Sequence, residues 1–361
     1  MVAVCYIDII VNLRIKVEMK GKNRNITLTD IAQSLGVSKA TVSLAINNDS
    51  RVAEETRRKI LSKVDELGYV YNRGAAGLST GTTNTVGLAV HDITNPYFTE
   101  VCSECEAVLR QHNKLAFLCN TRESLEHQEK FIEALVEHRA DGLILSPADG
   151  TTLSSLKLVF LRKFPTVLIA RNVEGAKLDF VGNDGVLAFR LATDHLVRLG
   201  HKRIGMIGGG QQTTTARIRR QGFYEAMERN GLKVDPSLIV DCDINPQSGE
   251  RALEYILNLN DPPTAVACFT DLVALGILSG LHRKGLTPGR DLAVVSCDDI
   301  EEADRGYVQL SSVRVRKGEI GRKAAELLVR RMNDPDAPQR HIHLKSELIV
   351  RGSCGATSVS G

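Results

Sequence analysis

The sequence predicts an α/β protein that carries a small all-α headpiece near its N-terminal end. Residues 26–47 are expected to form two short helices joined by a tight turn. From residue 85 onward, short apolar runs alternate with amphipathic stretches of ten to sixteen residues. Such alternation is typical of parallel sheets that helices cover on both faces. The 361 residues, 43% of them hydrophobic, suffice for two or three domains with sizeable cores.

The headpiece contains a helix–turn–helix pattern in the stretch ITLTDIAQSLGVSKATVSLAIN. Thr29 is expected to cap the first helix and Gly36 to end it, because glycine adopts the left-handed conformation without strain. Ser38 is expected to cap the second helix. The residues that pack this second helix on the first are predicted to be Val42, Ala45 and Ile46, at helical spacing. Another face is left to Lys39, Ala40, Ser43 and Leu44.

A third amphipathic helix is predicted from residue 54 to residue 67, and the positive charge of the chain is concentrated around it. The net charge of the whole chain is only +3. Residues 19–80 hold ten Lys and Arg against six Asp and Glu, whereas residues 81–361 hold 34 against 35. Binding to phosphates needs such a local excess of cations. The headpiece therefore suits contact with nucleic acid, and the nearly neutral remainder does not form a general basic coat.

The rest of the chain is predicted to form two lobes with a cleft between them. The strand-like runs are TVGLAV, KLAFLC, GLILS, TVLIA, RIGMIG, LIVDC, AVACF and LAVVS, and His341 and His343 alternate along one more. These are too many for one comfortable sheet. Segments that begin at Thr85 and at about His201 both show a strand–helix–strand order. In such folds ligands bind at the carboxyl ends of the strands.

The run LTDIAQSLGVSKATVS, followed by ELGY and TGTTNTVGL, resembles the lactose-repressor (LacI) family of bacterial transcription regulators. The specific match covers about sixty residues, and a weaker resemblance continues to about Arg351. The resemblance implies a two-lobed core similar to periplasmic sugar-binding proteins. It divides the chain into an extension (1–24, with Met19 as an alternative start), a helix-turn-helix DNA-binding domain (25–70), a hinge helix and linker (71–84), an effector-binding and dimerisation core (85–351) and a flexible tail (352–361).

The same resemblance implies which residues contact DNA. Residues matching Lys39, Ala40 and Leu44 face base edges in the family. Lys39 can donate to guanine, whereas Ala40 and Leu44 offer only apolar contact. The family often has Arg at the position of Leu44, so we expect a different operator half-site; alternatively, Leu44 is a core residue. Leu78 matches the leucine that the family inserts into the minor groove. The complete predicted set is Thr27, Ser38, Lys39, Ala40, Thr41, Ser43, Leu44, Asn47, Tyr69, Asn72, Arg73, Ala75 and Leu78.

Polar residues that follow the apolar strands are the predicted effector ligands. The set is Asp92, Asn95, Phe98, Arg171, Arg219, Asp271 and Asp298. By resemblance, Arg219 contacts the effector, and Asp271 and Asp298 match pocket positions. Carboxylates, an amide, guanidinium groups and an aromatic ring suit a hydroxyl-rich molecule such as a sugar. Taken alone, each could be an ordinary cap or surface charge; Asp271 could simply cap the next helix.

The sequence offers little support for catalysis, a metal site or a cofactor. The glycines of residues 205–210 follow a strand but lack the spacing of a dinucleotide-binding loop, so a glycine-rich turn is expected there. Cys102 and Cys105 form a lone C-x-x-C without a second pair of ligands. No transmembrane or export signal is recognised, which favours a cytoplasmic protein.

These observations predict a transcription regulator, a repressor rather than an activator. It is expected to be a homodimer on a pseudo-palindromic operator, with its DNA affinity controlled by a sugar-like effector. Two other classes remain open. One is a small-molecule-binding protein with only sequence-blind DNA affinity, and the other is an α/β enzyme that uses the cleft.

Overall fold

The computed structural model describes residues 26–69, 82–210 and 213–356. The predicted extension and four of the predicted DNA contacts, Asn72, Arg73, Ala75 and Leu78, lie outside this part of the chain. The fold comprises two compact units, which divide between Asn72 and Arg73. None of the helices in the described ranges is both long and apolar enough to cross a membrane.

The headpiece consists of three helices around a small apolar core. They are α1 (Leu28–Leu35), α2 (Lys39–Ile46) and α3 (Glu54–Glu66). The core is formed by Ile31, Ala32, Val42, Ala45, Val52 and Ile60, each less than 8% exposed. Gly36 ends α1 with a φ of 66°, as expected.

The cap of α1 differs from the prediction. Thr27, not Thr29, is the N-cap, and Thr29 lies inside the helix. The backbone of Thr27 is extended, and its hydroxyl accepts from the amide of Asp30 while the Asp30 carboxylate accepts from the amide of Thr27 (2.8 Å). This reciprocal capping box satisfies two backbone donors at once, which Thr29 could not do with its own neighbours.

The larger unit contains the remaining helices and strands of the described chain. In chain order they are β1 (Thr85–Val90), α4 (Pro96–Gln111), β2 (Leu115–Asn120), α5 (Leu125–Glu137), β3 (Gly142–Leu145), α6 (Lys157–Leu161), β4 (Thr166–Ile169), β5 (Asp179–Asn183), α7 (Gly185–Arg198), β6 (Ile204–Ile207), α8 (Thr214–Arg229), β7 (Ile239–Val240), α9 (Pro246–Leu257), β8 (Ala265–Cys268), α10 (Asp271–Arg283), β9 (Ala293–Asp298), α11 (Glu302–Arg305), β10 (Ser311–Arg314), α12 (Lys317–Asn333), β11 (His341–Leu344) and β12 (Glu347–Ile349). Two short 3-10 helices, Pro236–Leu238 and Gly352–Cys354, complete the unit.

The strands form two six-stranded sheets, one in each predicted lobe. The first sheet has the order β11-β5-β4-β3-β1-β2, and all its neighbours are parallel. The second has the order β12-β10-β9-β8-β6-β7 and is parallel except for its edge strand β12. In both sheets the central strands are apolar and buried on both faces, as helix-covered parallel sheets require.

The chain crosses between the lobes three times. It leaves the first lobe after β5, returns from β10 into α12, and leaves again between β11 and β12. Helix α7 consequently packs on the second sheet, whereas α12 packs on the first. The carboxyl ends of the parallel strands in both lobes therefore face a common cleft.

The end of the chain is more structured than the sequence suggested. Residues 352–361 were expected to be a flexible tail, but Gly352–Cys354 forms a 3-10 helix in which Ser353 and Cys354 are buried. The Ser353 hydroxyl donates to the Val294 carbonyl oxygen (2.6 Å) and accepts from the Ser311 amide (2.8 Å). For these residues the expectation is wrong, because partners more than forty positions away hold them. Residues 357–361 lie outside the described chain.

Candidate functional site

The second headpiece helix presents its first turn to the surface. Ser38 caps this helix by accepting from the Thr41 amide (3.0 Å), as predicted. Lys39 and Ala40 are exposed, and Lys39 has no hydrogen-bond or ion-pair partner among the described residues. A cation and a small apolar side chain at the free N-terminal turn of a second helix are suited to reading base edges in a major groove.

Several other residues predicted to contact DNA have structural partners within the headpiece. Leu44 is half-buried and packs against the headpiece core, so it combines the predicted contact position with the core role. The Asn47 side chain donates to the Ser43 carbonyl oxygen (3.0 Å) at the end of the same helix. Tyr69 also packs against this core. These contacts fix the orientation of α2, on which any groove contact by Lys39 depends.

The cleft between the lobes brings together five of the seven residues predicted to bind an effector. They are Asn95, Phe98, Arg171, Arg219 and Asp298, and they line one void of about 50 Å³. Asn95 caps α4 by accepting from the Tyr97 amide (3.0 Å), which points the first turn of α4 at the cleft. Each of the five follows or faces the carboxyl end of a strand, as the fold class required.

Arg219 is the central polar group of the cleft. It is only 5% exposed, and its guanidinium stacks on Phe269, 4.5 Å from the ring centroid. Its terminal nitrogens donate to the Phe269 carbonyl oxygen and to the Asp298 carboxylate, the latter at 3.1 Å. Burial raises the pKa of Asp298, although the neighbouring guanidinium opposes that change. The two side chains thus form a charged pair shielded from water.

Three buried polar atoms in the cleft have no hydrogen-bond partner within the described chain. They are Nε of Arg219, Oγ1 of Thr270 and Nδ2 of Asn183. A buried donor or acceptor without a partner costs about 1–3 kcal/mol, so such groups are rare and clusters of them rarer. Their convergence on one void leaves hydrogen-bonding capacity in the cleft that the described residues do not use.

The backbone around the void adopts conformations that are uncommon for residues with side chains. Ala170 has a φ of 60°, Asp298 of 121° and Asp299 of 51°. Left-handed conformations of this kind cost about 1–3 kcal/mol each and cluster at ligand sites. At Asp298 the unusual conformation presents the carboxylate to Arg219.

A cluster of hydrogen-bonded side chains lies on the first-lobe side of the cleft. Arg171 makes two parallel hydrogen bonds to the Glu123 carboxylate, at 2.8 and 2.7 Å. It also contacts His91 Nε2 (3.3 Å), and His91 Nδ1 lies 3.0 Å from the Ser146 hydroxyl. Burial, together with Arg171, lowers the pKa of His91 to about 3. The neutral imidazole therefore accepts from Arg171 and donates to Ser146, and the cluster ties together the ends of four strands.

Two of the residues predicted as effector ligands do not line the void. Asp92 folds back on its own turn, where one oxygen accepts from the Thr94 amide (2.9 Å) and hydroxyl. Asp271 is fully buried and accepts from the Ile300 amide (2.7 Å) and from the hydroxyls of Ser312 (2.6 Å) and Ser296. Burial and the nearby Asp298 carboxylate raise the pKa of Asp271 to about 7. Asp271 is therefore part of the support behind the cleft, in contrast to its predicted role.

Sequence reasoning missed eight residues that line the void. They are His91, Tyr97, Ala170, Asn183, Thr215, Ile244, Phe269 and Thr270. His91, Ala170 and Phe269 directly follow β1, β4 and β8, and Asn183 ends β5. Their position at strand ends was a signal that the sequence already contained. Thr215 and Ile244 carried no such signal, because they enter from the start of α8 and from the loop before α9.

The glycine-rich run after β6 is a turn that makes room for an aromatic side chain. Gly208 and Gly209 have φ values of 101° and 70°. A Cβ atom at Gly209 would lie 2.4 Å from the ring of Phe269, and one at Gly208 would lie 2.8 Å from its Cβ. The glycines therefore allow Phe269 to reach Arg219.

Two segments match known sequence families. Residues 27–72 match the family described as bacterial regulatory proteins, lacI family, and residues 193–354 match a periplasmic binding protein-like domain. The HTH-type transcriptional repressor PurR of Pasteurella multocida (strain Pm70) is 32% identical over 327 residues, which cover 91% of this chain and 98% of the relative.

Solved structures of regulators have the same fold. The lac repressor dimer bound to operator and the anti-inducer ONPF matches with a TM-score of 0.82 at 23% identity, covering 92% of this chain and 99% of that one. The complex of the transcriptional regulator CelR with cellobiose matches with a TM-score of 0.70 at 28% identity, covering 91% and 99%. The expected headpiece and two-lobed parallel core are thereby confirmed.

Proposed function

The chain belongs to the lacI family of bacterial regulatory proteins and is a DNA-binding transcriptional repressor, and from this premise we propose how its activity is controlled. A small-molecule effector, a sugar or a sugar derivative, binds between the two lobes and changes the affinity for operator DNA. The protein acts as a homodimer whose two headpieces read a pseudo-palindromic site.

The operator is read by the first turn of α2. Lys39 supplies the donor, which can bond to guanine O6 and N7, and Ala40 supplies apolar contact with a thymine methyl group. Leu44 is half-buried where the family often has Arg, so a second guanine contact is missing at that position. This combination favours a half-site with one strong guanine position on each side of the dyad.

The unpaired polar atoms in the cleft are the observation that carries the effector assignment. Arg219 Nε and Asn183 Nδ2 are donors, and Thr270 Oγ1 can donate or accept. Neighbouring hydroxyl groups of one sugar ring can satisfy all three, while Phe98 and Phe269 offer apolar ring faces. The relative CelR, in complex with cellobiose, has the same fold. The void of about 50 Å³ is smaller than a sugar ring, so binding requires the lobes to part.

An exposed apolar edge supports the homodimer. Strand β2 is the last strand of the first sheet, and it exposes Leu115 (58%), Phe117 (50%) and Leu118 (51%). An uncovered apolar edge strand promotes association with another chain. If a second copy covers this edge through a two-fold axis, the same axis relates the two headpieces to each other.

Control of operator affinity then follows from a shift between two arrangements of the lobes. An effector that binds one arrangement more tightly than the other increases its population. The accompanying change at the dimer interface alters the spacing of the headpieces. The coupling free energy typical of such systems is about 1–3 kcal/mol, or 5–150-fold in operator affinity.

Selection of bound duplexes from a random DNA pool at near-physiological salt tests the DNA reading. We expect the wild type to select one palindromic sequence. Lys39→Ala should relax the base preference at one position in each half-site, and Leu78→Ala should weaken binding to all sequences. Lys59→Ala is the matched control, because it removes an exposed cation from α3. It should leave the recovered motif unchanged. Failure to enrich any motif, or an identical motif with Lys39→Ala, would contradict the assignment.

The recovered operator then serves to screen sugars and sugar derivatives for a change in affinity. A true effector should lose its influence in Thr270→Val, which removes one of the unpaired polar atoms, while operator binding without effector persists. An effector that acts equally on the variant binds elsewhere.

A further inference from the structure

Lys317 is a buried lysine at the point where the chain passes from the second lobe into the first. It is the first residue of α12, and only 6% of its side chain is exposed. Lysine is seldom buried unless its ammonium has partners. Here the ammonium donates to the carbonyl oxygens of Asp298 (2.9 Å) and Asp299 (2.8 Å) and lies 3.5 Å from Glu100 Oε2.

Lys317 is attached to the first lobe through α12. This helix packs closely on α4, where a Cβ atom at Gly321 would lie 2.4 Å from the Val101 carbonyl oxygen. The Gly318 amide donates to Glu100 Oε1 (3.1 Å), one turn before that contact. Helix α4 also carries Tyr97 and Phe98 into the cleft. The base of the lysine side chain therefore moves with the first lobe.

The ammonium of Lys317 contacts the second lobe at two residues with uncommon backbone torsions. Asp298 ends β9 and Asp299 follows it, with φ values of 121° and 51°. The Asp299 carboxylate pairs with Arg314 (2.7 Å) and Arg351 (2.8 Å), both from the second lobe. Lys317 adds a contact from the other lobe, made to the two carbonyl groups of this strained pair. The Asp298 carboxylate is in turn the partner of Arg219.

The crossover itself is a tight turn rather than a regular element. Arg316 has φ −76° and ψ 64°, and the Lys317 amide donates to the Val315 carbonyl oxygen (2.8 Å). This is an inverse γ-turn, a three-residue bend whose central torsions can change without breaking a helix or a strand. The turn thus allows the lobes to rotate, while the ammonium of Lys317 restrains them.

We propose that Lys317 is a positioning residue that couples the relation of the lobes to the geometry of Asp298 in the cleft. When the lobes part, the ammonium must either move with α12 or stay with the Asp298 and Asp299 carbonyl groups. Its hydrogen bonds to these carbonyl groups therefore restrain the opening and change when the lobes open. The use of this coupling in regulation rests on the proposed function. The coupling itself can be tested without an effector or an operator.

Hydrogen–deuterium exchange on the full chain tests the coupling. In Lys317→Met, of similar length without the charge, we expect amides of residues 297–301 and 97–102 to exchange on the order of tenfold faster, because two buried carbonyl groups lose their donor. Lys317→Arg should restore rates near the wild type, since a guanidinium can donate to both carbonyls. Lys323→Met is the matched control: Lys323 is on the same helix, is exposed, and pairs with Glu326 on that helix.

Faster exchange in residues 297–301 alone would reduce Lys317 to a local support and overturn the coupling. Unchanged exchange in both segments would overturn the positioning role. If Lys317→Met does not fold, Glu100→Gln replaces it, with a smaller acceleration expected in both segments and the same two contrary results. Operator binding measured on the same samples tests the proposed function separately, because its absence in the wild type leaves the exchange comparison intact.

Discussion

One arginine from each lobe reaches the cleft, and the two differ in how their hydrogen bonds are satisfied. In the first lobe, Arg171, Glu123, His91 and Ser146 satisfy one another in a closed network. In the second lobe, Nε of Arg219 and the hydroxyl of Thr270 both lack a hydrogen-bond partner among the described residues. Both lobes thus supply an arginine to the same void, but of the two only Arg219 has a buried nitrogen without a partner among the described residues.

Under the proposed function, this difference separates a structural arginine, Arg171, from one that binds the effector, Arg219. A bidentate pair with a carboxylate is among the strongest polar contacts in a protein, and a ligand that took Arg171 would have to break it. Arg219 pairs through its terminal nitrogens, and its Nε–H has no partner among the described residues. Burial and residue type are the same in both cases, so the partners decide the role.

The largest expected effect concerns Asp271, the buried carboxyl group behind the second lobe's site. Its pKa in the folded chain is about 7, above its ordinary value of 3.8, because burial and Asp298 disfavour the charged form. The folded state then binds more protons than the unfolded state, so stability is lost as the pH rises from about 4 to about 7. Asp271→Asn cannot ionise, and its oxygen can still accept from the Ile300 amide.

We therefore expect the free energy of unfolding of Asp271→Asn, relative to the wild type, to increase by up to about 4 kcal/mol between pH 4 and pH 8. Urea unfolding of both proteins at a series of pH values measures this difference. Parallel pH profiles would show that Asp271 is ionised throughout in the folded chain.

A matched pair of conservative variants tests the comparison of the arginines directly. Lysine keeps the charge but loses the planar fork and Nε–H. Arg219→Lys should reduce effector affinity by about 30- to 150-fold, because a hydrogen bond to a charged group contributes about 2–3 kcal/mol. Arg171→Lys should instead lower the free energy of unfolding by about 1–2 kcal/mol and change effector affinity less than about threefold.

Calorimetric titration with the identified effector and denaturant unfolding separate these two effects. If Arg171→Lys abolished effector binding at unchanged stability, the assignment of the two arginines would be reversed.

The smallest expected effect compares one hydroxyl from each lobe. Ser146→Ala removes the partner of His91 Nδ1, so we expect it to lower the free energy of unfolding by about 1 kcal/mol. Thr270→Val removes a hydroxyl that has no partner in the described chain, so stability without effector should be unchanged or slightly higher. Thermal unfolding of both variants against the wild type decides the point. Equal losses would show that the Thr270 hydroxyl is paired in solution.

Most of the fold could be predicted because its signals are local. The three headpiece helices and the eight apolar strand-like runs were found close to their observed bounds, since helical spacing and short apolar runs need no tertiary information. Strands β5, β10 and β12 were missed. Their sequences LDFVGND, LSSVRVR and SELIV carry polar or glycine residues, and they become strands only by pairing with β4, β9 and β10.

The location of the candidate site was predicted more accurately than the side chains that line it. Both Asp271 and Asp298 follow or end an apolar strand, and the sequence treats them alike. In the fold, Asp298 faces Arg219 at 3.1 Å, whereas Asp271 is turned to Ser296 and Ser312. The direction of each carboxylate depends on the backbone conformation after the strand, which adjacent residues do not specify.

The sequence by itself determined the family, the helix–turn–helix, its Gly36 and Ser38 boundaries and the position of the cleft at the strand ends. Only the tertiary structure decided which polar atoms are left for a ligand. Arg171 finds its carboxylate 48 residues away and Arg219 finds its own 79 residues away. Secondary structure follows from neighbours along the chain, but a buried hydrogen bond follows from neighbours in space, and the crossovers between the lobes fix which residues those are.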